Sequence, residues 1–266
     1  MDGKLYRLRE FIRVEDKHSL IVDASGGLSL GTLPGLEDFG MATRSVLGIV
    51  DGLVCSPGQF RRIPDRTRGE ASLLVRMDWT NTLRGSDFVL PPTNVHHLPL
   101  LTVQDALDLG ATAMVSSFLL GYEEEVEAGC LRNTVQWAMD GNALGLPLIV
   151  EVRTTGPRVS IRDKAIELGA SYALEGGADA IVLPYPGRKS LESIAAFVSV
   201  PWLIKPSHFH QKMGIVSFEN AAPELEEAIG LGGAGLWLDH SVFALSNTSV
   251  VLQEFALRLH QATAVA

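Results

Sequence analysis

The sequence predicts a (β/α)8 barrel, and the first observation behind this prediction is a series of eight short apolar runs. The runs are Leu20–Asp23, Gly52–Cys55, Leu73–Arg76, Ala113–Ser116, Leu148–Glu151, Ala180–Leu183, Trp202–Lys205 and Gly235–Leu238. Near-continuous apolar strands that alternate with helical segments are typical of a parallel sheet covered by helices. Eight such units in 266 residues match the size of this barrel.

The segments between the runs carry helix signals and contain no linker. Residues 122–145 open with acidic side chains, which favour a helix N-terminus, and end at Gly145, a typical residue after a helix. The triplets Leu109–Ala111, Leu168–Ala170 and Gly232–Ala234 are interpreted in the same way, as helix ends that lead into a turn. Since no compositional break divides the chain, residues 1–266 are expected to form one domain.

The longest irregular segment, residues 84–101, is expected to be a functional loop or a lid, because unstructured loops of that length are uncommon. The main structural alternative is a doubly wound open sheet. Its dinucleotide-binding turn would need a G-x-G-x-x-G pattern directly after a strand. Residues 25–31 have a different glycine spacing and no helix signal directly after them, so the barrel is favoured.

Composition limits the expected partners. The chain has 22 Lys and Arg against 31 Asp and Glu, a net charge of −9, and no long basic run, so nucleic acid is not an expected partner. Cys55 and Cys130 lack metal-ligand spacing, which suits a reducing compartment. The N-terminus has no apolar signal segment, and no apolar run approaches the roughly 18 residues of a membrane span. A cytoplasmic protein without a membrane partner is expected.

Polar side chains end most of the apolar runs. They are Asp23, Arg76, Asp78, Ser116, Ser117, Glu151, Arg153, Tyr185, Lys205, Asp239 and His240. In barrels of this kind the active site lies at the C-terminal ends of the strands, so these residues are the candidates for chemistry. Alternation along a strand places Glu151 and Arg153 on the same face.

Lys205 and Asp23 are the most informative candidates. A lysine at the mouth of a largely apolar barrel is partly desolvated, which favours the neutral amine that a nucleophile needs. The alternative for Lys205 is a side chain that reaches solvent or pairs with a carboxylate. Asp23 precedes a glycine-rich loop, where it could act as an acid or base or simply accept hydrogen bonds from the amides of that loop.

Histidines offer a less favoured metal hypothesis. They are His96, His97, His208, His210 and His240, the last of which follows Asp239. An extended His-x-His segment places two imidazoles on one side, but neither an H-E-x-x-H motif nor a cysteine pair supports a metal site. Histidines adjacent in sequence are often loop or surface groups, so neither a metal nor another cofactor is expected.

Several motifs resemble those of archaeal-type class I fructose-bisphosphate aldolases, part of the wider group that includes deoxyribose-phosphate aldolase. The opening IVDASGGLSLGTLPGLED, residues 21–38, is similar to that family's Asp-His-Gly…Gly-Pro-x-x-Gly-Leu-x-Asp opening. Further matches, in the same order along the chain, are Gln59–Arg62, Leu109–Ala113, Gly145–Leu148, Gly156–Pro157, Glu167–Ala170 and Gly177–Gly187. The resemblance implies a (β/α)8 barrel and an assembly of several subunits.

The family's functional positions are mostly changed in this chain. The resemblance places Val182 at the Schiff-base lysine, Arg153 at the catalytic tyrosine, Pro206–Ser207 at a glycine pair, and Asp239–His240 at a phosphate-binding Gly-Arg pair. Only Asp23 matches clearly. Valine has no amine, and an aspartate at the phosphate position repels a phosphate group. Lys205, one strand further along the chain, is therefore interpreted as a relocated nucleophile or as a cation that anchors a carboxylate or an enolate.

These observations favour a lyase that makes or breaks a carbon–carbon bond on a non-phosphorylated carbonyl or carboxylate substrate. Lys205 would form the imine, Asp23 would act as acid or base, and Arg153 would anchor a carboxylate. The residues expected to contact substrate are Asp239, Tyr185, Arg76, Asp78, Glu151 and Ser207. One alternative is an isomerase, cyclase or decarboxylase that stabilises an enolate without an imine through Lys205, Arg153, Asp239 and His240. The other is a non-catalytic protein that binds a small molecule.

Overall fold

Eight parallel strands close into a barrel, as the sequence predicts. The computed structural model describes residues 3–63, 69–207 and 218–261. The strands within these ranges are β1 Ser19–Asp23, β2 Gly52–Cys55, β3 Ser72–Arg76, β4 Asp78–Thr80, β5 His97–Pro99, β6 Ala113–Leu119, β7 Leu148–Arg153, β8 Ala180–Pro184, β9 Trp202–Lys205 and β10 Gly235–Leu238. Around the barrel the order is β1, β10, β9, β8, β7, β6, β3, β2. The eight predicted runs are therefore confirmed as the eight barrel strands.

Helices alternate with the barrel strands and cover the outside of the sheet. They are α1 Gly3–Leu8, α2 Gly27–Leu30, α3 Phe39–Arg44, α4 Pro57–Phe60, α5 Val103–Asp108, α6 Glu124–Leu144, α7 Arg162–Glu175, α8 Arg188–Phe197, α9 Phe218–Gly230 and α10 Thr248–Gln261, with a short 3-10 helix at His240–Ala244. The helix predicted within residues 122–145 is confirmed, and Gly145 ends it in a left-handed conformation with φ 71°. Within the described ranges, no helix is both long and apolar enough to span a membrane.

The prediction of a helix end at Leu168–Ala170 is wrong, because these residues lie inside α7. Gly169 is there for a different reason. A Cβ added to it would lie 2.4 Å from Val152 Cγ1 and 2.8 Å from Leu120 Cδ1, so the missing side chain lets α7 pack closely on β7. The turn that the sequence signal suggested comes after Glu175 instead, where Gly177 has φ 91°.

The segment predicted as one long loop, residues 84–101, contains a strand. β5 pairs antiparallel with β4 in a small sheet outside the barrel. The Trp79 indole donates to the carbonyl of Leu28 at 2.9 Å, and Arg84 Nε donates to the carbonyl of Ser29 at 2.8 Å. The Arg84 guanidinium also lies 5.5 Å from the ring of Trp79 and 5.3 Å from that of Phe88. These contacts fix the small sheet and its connection to α2 on one side of the barrel mouth.

Strand alternation divides the barrel interior into an apolar lower part and a polar mouth. The buried interior cluster consists of Phe11, Ile12, Ile21, Val54, Leu74, Ala113, Val115, Ile149, Ala180, Val182, Leu203 and Trp237. Side chains two positions further along a strand lie on the same face, one layer closer to the C-terminal end. By this rule Ile21 is followed by Asp23, Leu74 by Arg76, Val115 by Ser117, Ile149 by Glu151, Leu203 by Lys205 and Trp237 by Asp239. The fold therefore aims six polar side chains into the mouth.

At the opposite end of the barrel a histidine ties α10 to the sheet. His260 Nδ1 lies 2.6 Å from Asp16, and its Nε2 lies 3.1 Å from Asp51, which also accepts from Arg13 at 2.7 Å. Burial lowers the pKa of His260, but its hydrogen bonds to Asp51 and Asp16 raise it by more, so the net shift is upward. Burial raises the pKa of Asp51, and the hydrogen bonds from His260, Leu20 and Arg13 lower it by more. The upward shift favours the protonated form of His260 between these two carboxylates.

Candidate active site

A cavity of about 360 Å³ opens at the C-terminal ends of the barrel strands. Its lining consists of Asp23, Ser25, Gly26, Leu28, Ser29, Arg76, Asp78, Thr80, Thr82, Leu83, Ser117, Val152, Arg153, Thr154, Thr155, Arg162, Pro184, Lys205, Asp239 and His240. The volume is at the lower end of the usual range for sites that bind small molecules, roughly 300 to 1,000 Å³. The cavity thus lies where catalysis is found in barrels of this type.

Glu151 is the centre of the charged network at the base of this cavity. It is 0% exposed, and three cations converge on its carboxylate. Lys205 Nζ lies 2.6 Å from Oε1, while Arg153 Nη2 and Arg76 Nη1 lie 2.8 Å and 3.0 Å from Oε2. The prediction that Glu151 and Arg153 share a face is confirmed by their direct hydrogen bond.

The three cations keep Glu151 ionised. Burial alone raises the pKa of a carboxyl group, but the charges of Arg153, Lys205 and Arg76 hold the pKa of Glu151 well below its usual value. Burial likewise lowers the pKa of Arg76, and the carboxylates of Asp23, Glu151 and Asp78 raise it by more. Two of the three cations beside Glu151 are guanidinium groups, those of Arg153 and Arg76.

Both carboxylate oxygens of Asp23 accept hydrogen bonds. Its Oδ1 accepts from the backbone N–H of Ser25 at 2.8 Å and from the Ser25 hydroxyl at 2.5 Å, so the loop-capping interpretation describes one oxygen. Its Oδ2 accepts from Arg76 Nη2. Asp23 is nonetheless part of the cavity wall, so its carboxylate lies where substrate would bind.

Asp78 links the barrel mouth to the small outer sheet. Its Oδ2 accepts from the backbone N–H of Ser117 and from His97 Nε2, the latter at 2.8 Å. Burial lowers the pKa of His97, but the hydrogen bonds to Asp78 and Cys130 have the larger, opposite effect, and the net pKa is about 10. Burial raises the pKa of Asp78, but its hydrogen bond and charge interaction with His97, the charge of Arg76 and the backbone N–H of Ser117 hold it below its usual value. His97 and Asp78 therefore form a buried ion pair that anchors β5.

Asp239 and His240 line the cavity on the β10 side. Asp239 Oδ1 accepts from the backbone N–H of Ser241 at 2.9 Å and from its hydroxyl at 2.6 Å, and so caps the 3-10 helix. The His240 ring packs closely on the backbone of Gly26, where an added Cβ would lie 2.5 Å from Nδ1. Glycine at position 26 thus makes room for the imidazole.

The charged groups in and directly around the cavity do not balance. The cations are Arg76, His97, Arg153, Arg162 and Lys205, and the carboxylates are Asp23, Asp78, Glu151 and Asp239. Five positive groups thus meet four negative ones among the described residues. With His97 counted as protonated, as its raised pKa indicates, these nine side chains carry one excess positive formal charge.

The structure brings most of the predicted site residues together. Asp23, Arg76, Asp78, Ser117, Arg153, Lys205, Asp239 and His240 line the cavity, and Glu151 lies buried against three of them. Tyr185 and Ser207, which were expected to contact substrate, do not line this cavity. The Tyr185 hydroxyl donates to Glu227, and Ser207 donates its backbone N–H to Glu224 at 2.7 Å. Ser116 lies outside the cavity too, since alternation turns its neighbour Ser117 inward.

Sequence reasoning missed the residues that come from loops and helix starts. Thr154 and Thr155 follow Arg153 directly, so continuing past the strand end would have found them. Arg162 lies seven residues further on, at the first position of α7, and no strand pattern points to it. Leu28 and Leu83, which form apolar parts of the wall, belong to α2 and to the connection between β4 and β5.

The position that the family resemblance assigns to the Schiff-base lysine lies below the cavity. Val182 is 0% exposed and pairs in register with Glu151 and with Leu203. Lys205 pairs with Pro184, so it lies on the next strand and one layer closer to the mouth. The two positions are thus near one another, but only position 205 reaches the cavity.

The described ranges offer no group of side chains that could bind a metal ion. Residues 3–63, 69–207 and 218–261 contain no cluster of three His, Cys, Asp or Glu side chains arranged to hold a metal ion. His97 is occupied by Asp78 and by Cys130, whose Sγ lies 3.4 Å from Nδ1. His208 and His210 lie outside the described residues.

Two named proteins are similar to this chain in sequence. An uncharacterized aldolase of Saccharolobus solfataricus is 27% identical over 189 residues, 68% of this chain and 68% of that protein. A 2-amino-3,7-dideoxy-D-threo-hept-6-ulosonate synthase of Halobacterium salinarum is 28% identical over 206 residues, 76% of this chain and 73% of the synthase. The chain is similar to these two proteins over about two thirds or more of its length. No protein-family profile matches it.

Solved aldolase structures share the fold. A Schiff-base-forming fructose-1,6-bisphosphate aldolase superposes with a TM-score of 0.79 at 20% identity, over 97% of this chain and 99% of that one. An archaeal fructose-1,6-bisphosphate aldolase gives a TM-score of 0.78 at 20% identity with the same coverage. At this identity the likeness shows the (β/α)8 fold, and the chemistry has to be argued from the residues of the cavity.

Proposed function

We propose that this protein is a lyase that makes or breaks a carbon–carbon bond, with Lys205 as the imine-forming amine. The observation that carries the proposal is the position of Lys205 Nζ, which lies at the cavity, 2.6 Å from the buried Glu151. Val182, at the family's lysine position, has no amine and is fully buried. Lys205 is the only lysine in the cavity wall among the described residues.

The proposed reaction begins with attack of the neutral Lys205 amine on the carbonyl carbon of the substrate. The carbonyl oxygen then leaves as water. In the cleavage direction the protonated imine takes up the electron pair of the bond between the α and β carbons as an enamine, while the β-hydroxyl loses its proton and becomes the carbonyl of the leaving aldehyde. Lys205 must lose a proton first. Arg76 and Arg153 still neutralise Glu151 after that loss, which favours this step over one that would strand a buried charge.

Asp23 and Arg153 complete the proposed machinery. Asp23 is a carboxylate of the cavity wall and acts as the acid or base that moves protons to and from the substrate. Arg153 holds a substrate carboxylate through its planar guanidinium. Asp239 occupies the position of the family's phosphate-binding pair and lines the cavity, so a carbonyl substrate without a phosphate there is favoured on charge grounds. Assembly of several subunits stays a prediction.

Borohydride trapping tests the proposal. The protein is incubated with hydroxyacetone, pyruvate and a panel of aldehydes, reduced with borohydride, and weighed as the intact chain by mass spectrometry. A ketone adduct is expected on the wild type and on Lys189→Arg, a change at an exposed lysine of α8, and is expected to be absent from Lys205→Arg. An adduct of equal yield on Lys205→Arg would contradict the proposal.

The second candidate is enolate stabilisation without an imine, and one observation favours it. Lys205 is held by Glu151 as half of a short ion pair, so it could act as a fixed cation. Exchange of the α-hydrogens of a ketone with deuterated water, measured by NMR, separates the two candidates. Exchange that continues in Lys205→Arg, together with the absence of any trapped adduct, would favour the second.

A further inference from the structure

We infer that Arg162 and Arg153 together form a binding site for a single substrate carboxylate, which makes the substrate an oxo acid of charge −1. The inference rests on the proposed function, because it concerns the same cavity. It adds a residue, Arg162, that neither the sequence patterns nor the family resemblance point to. It also adds the charge class of the substrate.

Arg162 is a cation without a partner in the described part of the chain. It is exposed, it lies at the start of α7, and it is one of the residues that line the cavity. Other exposed arginines nearby are paired, for example Arg158, which bonds to the carbonyl of Tyr122 at 3.0 Å and to Glu124 at 3.4 Å. A positive group left unpaired at the rim of a cavity is suited to an anionic ligand.

Arg153 supplies the second observation, because it is only partly satisfied. Its Nη2 donates to Glu151, but its Nε is buried and has no acceptor among the described residues. A buried N–H without an acceptor is costly, and such groups call for a ligand or another partner. The side chain also lines the cavity. A substrate carboxylate in the cavity would lie beside this guanidinium, whose hydrogen-bonding capacity Glu151 does not exhaust.

The charge of the site indicates how much negative charge the ligand carries. The described groups in and around the cavity leave one excess positive charge, so one carboxylate brings the site to neutrality. A phosphate monoester carries nearly two negative charges at neutral pH and would face Asp23 and Asp239 in the same small cavity. A carboxylate also matches the planar fork of an arginine.

Equilibrium binding tests this inference independently of imine chemistry. Pyruvate, which carries a carboxylate, and hydroxyacetone, a neutral ketone of similar size, are titrated calorimetrically into the wild type, Arg162→Gln and Arg162→Lys. We expect Arg162→Gln to weaken pyruvate binding roughly tenfold, the effect of one charged hydrogen bond, and to leave hydroxyacetone binding unchanged. Arg162→Lys keeps the positive charge and should therefore lose less pyruvate affinity than Arg162→Gln. Arg188→Gln, a change in an exposed ion pair on α8, is the matched control. It should bind pyruvate and hydroxyacetone as tightly as the wild type does.

The outcomes separate this inference from the proposed function. Equal pyruvate affinity in the wild type and Arg162→Gln, an equal loss for both ketones, or no pyruvate binding by the wild type would overturn the inference. Inorganic phosphate that binds more tightly than pyruvate in an Arg162-dependent manner would also overturn it, in favour of a phosphate site. A pyruvate titration that depends on Arg162, combined with no borohydride adduct on Lys205, would support the carboxylate site and contradict only the imine.

Discussion

Replacement of Glu151 by glutamine removes the negative charge around which the barrel mouth is organised. The carboxylate is 0% exposed, and Lys205, Arg153 and Arg76 lie 2.6 Å, 2.8 Å and 3.0 Å from its oxygens. Glutamine keeps the shape but leaves these cations without their shared counter-ion. Removing one partner of a buried ion pair typically costs about 3 to 5 kcal/mol. We therefore expect the free energy of unfolding of Glu151→Gln to fall by at least about 3 kcal/mol.

Urea denaturation at pH 7, with linear extrapolation to water, measures this loss. Glu192→Gln is the control, because Glu192 forms an exposed pair with Arg188 within one helix and should cost no more than about 0.5 kcal/mol. Lys205→Met should cost less than Glu151→Gln, about 1.5 kcal/mol, since the two arginines still neutralise Glu151. This description of the network would be refuted if Glu151→Gln lowered the free energy of unfolding by less than about 1 kcal/mol, or if Lys205→Met lowered it by more than Glu151→Gln does.

Three further predictions follow from the fold and the site. Asp23→Asn should lower turnover roughly 100-fold or more, the scale of lost acid–base catalysis, while an adduct still forms on the lysine, and normal turnover would contradict the proposed role. The pKa of His260 is raised above 6.5, so its stabilising charge is fully present below about pH 6.5 and is lost as the pH rises. His260→Gln should thus be about 1 kcal/mol less stable than the wild type at pH 6. A difference in the free energy of unfolding that increases towards pH 9 would contradict this prediction. Gly169→Ala places a Cβ 2.4 Å from Val152 Cγ1 and should destabilise by about 1 to 3 kcal/mol, whereas Gly58→Ala, with open space around it, should change stability by less than about 0.5 kcal/mol.

The barrel was predictable because its strands are buried on both faces. Such strands read as continuous apolar runs, and alternation then places Asp23, Arg76 and Lys205 at the mouth. A glycine carries a more ambiguous signal. Gly145 ends α6 as predicted, but Gly169 lies inside α7, where it allows close packing. The sequence shows only a glycine at each position. The tertiary contacts are needed to distinguish a glycine that ends a helix from one that allows close packing.

The candidate site was predictable where side chains follow the strand pattern and unpredictable elsewhere. Tyr185 follows Pro184, which lines the cavity, so alternation turns the Tyr185 side chain outward, and its hydroxyl donates to Glu227 on α9. Ser207 donates to Glu224, also on α9. Arg162 reaches the cavity from a helix start, and the path of the preceding loop, residues 154–161, is not encoded in any periodic pattern.

The central claim is that position 205 carries the chemistry that the family resemblance assigns to position 182. Peptide mass mapping after borohydride reduction with a reactive ketone tests it most directly. The account predicts that the mass increase of one reduced ketone lies on the peptide that contains Lys205, which stands beside the buried Glu151. A reduced adduct confined to other lysines, or turnover of that ketone with no adduct anywhere in the chain, would contradict the account.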